Sequence, residues 1–92
     1  MARVVDDCNM NLIGRNIKKI RKEKKISQQA LSDKLELMGV YVCRGSISRI
    51  EDLSRTVTDI ELYALSVALG VEINSLFDEA LLIEKYLMTK NN

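Results

Sequence analysis

The sequence predicts an all-α domain of five helices, and three observations carry that prediction. Proline is absent and glycine occupies only four of 92 positions, so little interrupts a helix. Apolar residues make up 47% of the chain but aromatics only 4%, so the core is built from Leu, Ile and Val. Those aliphatic residues recur three and four apart between capping residues, the spacing of one helix face. The length corresponds to one domain with one modest core.

Residues 1–10 show no sustained period and read as an N-terminal arm. Asn9 or Asn11 can cap a first helix, in which Leu12, Ile13, Ile17 and Ile20 share a face. Arg15, Lys18, Lys19 and Lys22 fill its other faces, and it ends near Lys24. Ser27 caps a second helix, its side chain accepting from the free first-turn N–H groups; it is a structural cap rather than a base reader. Ala30, Leu31, Leu35 and Met38 form its apolar stripe, and Gly39 suits the left-handed position after its end. Val40, Tyr41 and Val42 are too few for an independent strand and read as an extended connector. A third helix covers about Arg44–Asp52, with Ile47, Ile50 and Leu53 inward, which leaves Arg44, Gly45, Ser48 and Arg49 outward. Thr58 or Asp59 caps a fourth helix that runs to Gly70 and is apolar on most faces, as for the buried centre of a domain. Asn74 or Ser75 caps a fifth, running from Leu76 to Met88 with more than one apolar stripe. Its surplus surface, on Leu82, Ile83, Tyr86 and Leu87, is the expected site of self-association. Tyr41 and Tyr63 read as core-edge residues, since three tyrosines scattered over separate elements make no stacking platform.

Composition narrows the function. The chain has no His, which removes the commonest general base, the Ser-His and Cys-His nucleophile pairs and most zinc sites. No phosphate-cradling glycine loop is visible, so neither an enzyme nor a cofactor or metal site is expected. Cys8 and Cys43 read as small hydrophobes in a reduced cytoplasm; a reactive thiol is the weakest option, although Arg44 adjoins Cys43. The longest apolar run, Leu37–Cys43, is too short to span a bilayer, and Asp6 and Asp7 interrupt any secretion signal. A cytoplasmic protein without a membrane partner is expected.

The formal net charge is +1, but it is split by sign. Residues 1–49 carry 11 basic and 5 acidic side chains, whereas residues 50–92 carry 3 basic and 8 acidic ones. Seven of the basic residues lie in Arg15–Lys25, against one acid, Glu23. Such asymmetry bears on partner choice more than the total does.

A basic first helix, a Ser-capped second, a connector and a short third helix with outward Arg and Ser are the layout of a helix-turn-helix DNA reader. The stretch IGRNIKKIRKEKKISQQALSDKL, followed by SISRIE and DIELYALSVALGVEINSLF, resembles the Cro/cI-type, lambda-repressor-like domain over about residues 11–79. The resemblance implies a sequence-specific, double-stranded DNA-binding transcriptional regulator, more a repressor than an activator, working as a homodimer. It implies base reading by Arg44, Gly45, Ser48 and Arg49. It also implies an Arg21–Glu51 pair that ties the first helix to the third. Phosphate contacts are expected from Gln28, at the start of the second helix, from Ser54 and Arg55 after the third, and from Lys18. Residues 80–92 then form a C-terminal helical extension for self-association. Eleven residues separate Leu35 from Ile47, more than is usual in the family, so the third helix is anchored from its C-terminal side on Ser46–Glu51. The long turn brings Tyr41 or Cys43 into the interface if the connector lies against the duplex. The alternative is a protein-interaction module of the same fold, such as an antitoxin or adaptor.

Overall fold

A computed structural model describes residues 10–84, without the side chain of Leu82. Five α-helices follow one another: α1 (Gly14–Glu23), α2 (Gln28–Leu37), α3 (Arg44–Glu51), α4 (Asp59–Leu69) and α5 (Glu79–Leu82), with a 3₁₀ turn over Ile73–Leu76 between the last two. No strand occurs among the described residues.

Local chemistry explains most of the ends. The Ser27 hydroxyl accepts from the Ala30 N–H at 2.9 Å, satisfying one of the free donors of the first turn of α2. At α4, Thr58 and Glu61 form a reciprocal capping box: the Thr58 hydroxyl accepts from the Glu61 N–H, and the Glu61 carboxylate accepts from the Thr58 N–H. Gly39 and Gly70, at φ +83° and +69°, end α2 and α4 in the left-handed conformation.

Ile17, Leu31, Leu35, Ile47, Ile50, Leu65 and Leu76 are fully buried and form the core, joined by Ile13, Val42, Ala64 and Leu69. Burial of seven such side chains, each contributing about 1.5–3 kcal/mol, is the main term holding the helices together. Three expectations are corrected. The fifth helix starts later than Asn74 or Ser75: those residues lie in the 3₁₀ turn that carries Leu76 into the core, and Asp78 caps α5 by accepting from the Leu81 N–H. The fourth helix is buried along one side only, with Ile60, Tyr63 and Val67 in solvent. Tyr41 and Tyr63 lie out in water rather than at the edge of the core, 79% and 64% exposed. Leu53 lies beyond the third helix, which ends at Glu51, and is half-buried at φ +65°.

Candidate nucleic-acid interface

The third helix is two-faced. Ile47 and Ile50 are fully buried, while Arg44, Gly45, Ser48 and Arg49 are exposed along the outer side. The Arg49 Nη2 donates to the Ser46 hydroxyl at 3.0 Å, which lays the guanidinium back toward the start of the helix and leaves its other N–H groups free. A Cβ built on Gly45 would lie 3.8 Å from Arg49 Nη1. Gly45 therefore has room for a methyl group inside the protein, and the lack of a side chain matters only to whatever approaches from outside.

Cys43 occupies the N-cap of α3 and its thiol donates to the Ser46 hydroxyl at 3.5 Å. When the thiol loses its proton the hydroxyl can donate to the sulfur instead, and that hydroxyl first, then the Ser46 and Gly45 N–H groups and the charge of Arg49, hold the thiol below its ordinary pKa. The string Cys43–Ser46–Arg49 gives the outer face of α3 a fixed polar edge.

The first helix holds α3 at two points. Near its end, Arg21 pairs with Glu51 through two hydrogen bonds, Nε to Oε2 at 2.6 Å and Nη2 to Oε1 at 3.1 Å, with side chains only 10% and 3% exposed. The Arg21 Nη1 also donates to the Ile26 carbonyl, fixing the turn before α2. At its start, the fully buried Asn11 accepts from the Ile13 and Gly14 N–H groups and donates to the carbonyls of Ile50 and Arg55. Gly14 presses on the same carbonyl: a Cβ there would lie 1.9 Å from the Ile50 oxygen. From the other side, the Ser32 hydroxyl donates to the Val42 carbonyl at 2.7 Å, pinning the connector that leads into α3.

The flanking residues divide into two groups. Lys18 is exposed on α1, and Ser54 is exposed after α3, its own N–H and hydroxyl both donating to the Arg49 carbonyl. The Gln28 and Arg55 side chains are engaged within the protein. Gln28 Nε2 donates to Glu51 Oε1 at 3.0 Å, so its side chain completes the buried ion pair instead of reaching outward. Arg55 forks onto Glu61 at 2.9 and 2.7 Å, close to the Thr58 cap. The shared hydrogen bonds raise the Arg55 pKa and hold Glu61 below the ordinary carboxylate range. Of the residues expected in self-association, Ile83 is exposed; Tyr86, Leu87 and the Leu82 side chain lie outside the described residues. No cluster of metal-binding side chains, and no helix long and apolar enough to cross a membrane, occurs among the described residues.

Sequence reasoning missed Gly14, Ser32 and the second role of Asn11, because each acts on a backbone carbonyl far along the chain. A helix-turn-helix family model matches residues 17–76, which run from within α1 to the end of the 3₁₀ turn and amount to more than half of the chain. The chain belongs to the helix-turn-helix family of Cro/C1 type, a family of DNA-binding domains. No curated protein is significantly similar to it.

Proposed function

We propose that the chain is a transcriptional repressor that reads double-stranded DNA sequence-specifically as a homodimer in the cytoplasm. The observation that carries this reading is the outward row on α3. Arg44, Gly45, Ser48 and Arg49 are exposed on a helix whose opposite side is locked into the core by Ile47 and Ile50. Arg44 and Arg49 each offer a fork that fits the two acceptors of a guanine in the major groove, worth about 1–3 kcal/mol of discrimination. Ser48 adds a donor or acceptor, and Gly45 lets the helix approach the base edges closely. Phosphates are held by the first-turn N–H groups of Gln28 and Gln29 and by Lys18, and Ser54 joins them by turning its exposed hydroxyl away from the Arg49 carbonyl.

Selection of duplexes from a random pool tests the reading. Wild-type protein enriches one motif and binds it with a steep negative dependence on salt, and Arg49→Ala relaxes the preference at one base pair. No enrichment, with the variant binding as weakly as wild type, overturns it.

One observation favours a second reading, a protein-interaction module of the antitoxin or adaptor kind. Ile60, Tyr63 and Val67 make an exposed apolar row on α4, and Met38 and Val40 line the groove beside Ile60 and Tyr63. A DNA reader does not need this surface, and a protein partner would. The two readings are compatible, since α3 and this row are different faces.

A further inference from the structure

We infer that Tyr41 is an additional duplex contact, its phenol hydroxyl donating to a phosphate oxygen beside the bases that α3 reads. This rests on the reading of α3 given above.

The connector that carries Tyr41 is pinned on both sides of that residue. The Val40 N–H donates to the Leu35 carbonyl at 3.0 Å, and the Val42 carbonyl accepts from the Ser32 hydroxyl. Val42 is buried and Val40 half-buried, so alternation along the extended chain turns the residue between them outward. Tyr41 is 79% exposed, and its hydroxyl bonds to no described residue. Folding therefore uses neither the ring nor the hydroxyl, while the backbone fixes the direction in which the side chain leaves the connector.

That place adjoins the reading helix. Tyr41 stands two residues before the α3 N-cap and shares a shallow depression with Gln29, Ser32, Glu36, Cys43 and Arg44. A helix that enters the major groove by its N-terminal end puts its first residues against base edges. A side chain just ahead of that end meets the wall of the groove, which is phosphate and sugar. A neutral hydroxyl contributes there through a hydrogen bond to an anion and adds no charge.

The test uses the full chain as wild type, Tyr41→Phe, Tyr41→Ala and Arg49→Ala. Binding is measured over a salt series on the selected duplex and on an unrelated one, with phosphate-ethylation interference on the selected duplex. Tyr41→Phe should melt like wild type and bind both duplexes roughly tenfold more weakly. Its preferred sequence and salt slope should not change, and it should lose sensitivity to ethylation at one phosphate. Tyr41→Phe binding like wild type, while Arg49→Ala loses its base preference, overturns the assignment of Tyr41 alone. Absence of any selective binding, with Arg49→Ala indistinguishable from wild type, overturns the reading of α3 and the assignment with it.

Discussion

The Ile50 carbonyl, near the end of α3, receives a hydrogen bond from Asn11 and lies against Gly14. Any side chain at position 14 would drive a carbon into that oxygen, and since both groups are backbone-borne, neither can swing aside. Gly14→Ala is expected to lower stability by about 3 kcal/mol in a denaturant titration, at the upper end of overpacking penalties. The Arg21–Glu51 pair behaves differently, because it is a mutual dependence between two charges in a dry setting. Removing either partner strands the other and should cost about 3 kcal/mol or more. Arg21→Ala and Glu51→Ala are therefore expected to lower stability similarly, and the double variant should lose well under the sum; additive losses in the cycle would contradict the pair. The two cases also differ in legibility. The resemblance implied the pair in advance. Gly14 looked like an ordinary position, because what forbids a side chain there is a carbonyl from a helix that begins thirty residues later.

Helix starts were the most legible features of the fold where a hydroxyl or carboxylate closed a local ring, as at Ser27 and Thr58. Local chemistry misled at the fifth helix. Asn74 and Ser75 have capping side chains, but burying Leu76 takes the chain through a 3₁₀ turn first, and the Asp78 N–H docks on the Leu12 carbonyl before α5 begins. The start of α4 carries a pH dependence. Glu61 is held below the ordinary carboxylate range by Arg55, so the stability from this contact is fully present above the unfolded-state value and is lost as pH falls through the folded one. Acidification into that range should therefore lower the melting temperature of wild type more than that of Arg55→Ala. Parallel losses would show that Arg55 contributes nothing to the Thr58–Glu61 cap. On α3, Gly45 separates stability from function. Gly45→Ala is expected to raise stability by about 0.5 kcal/mol, because a Cβ fits there and the unfolded chain loses freedom. The same variant should weaken duplex binding, and unchanged affinity would remove Gly45 from the line of closest approach.

A net charge of +1 conceals a molecule with a basic first half and an acidic second half. The basic half contains α1, α2 and most of α3, the elements that form and support the proposed reading face. The acidic half contains α4 and α5, so on the proposed reading the charge asymmetry would turn the first half toward a polyanion. The proposed self-association would belong to the acidic end. Light scattering is expected to give a dimer for the wild-type chain and a monomer for Ile83→Asp, and a wild-type monomer at high concentration would contradict it. Which surface was spent on which partner was the least legible part of the sequence. Apolar residues at helical spacing look alike whether they meet the core or, like Ile60, Tyr63 and Val67, face water. The central claim, that the outer side of α3 meets DNA, is tested most directly by titrating the selected duplex into isotope-labelled protein and following the backbone amide resonances. The account predicts that the largest shifts fall on Arg44, Gly45, Ser48 and Arg49, with a second group at Gln28 and Gln29. Shifts centred on Ile60, Tyr63 and Val67, with α3 unchanged, would contradict it.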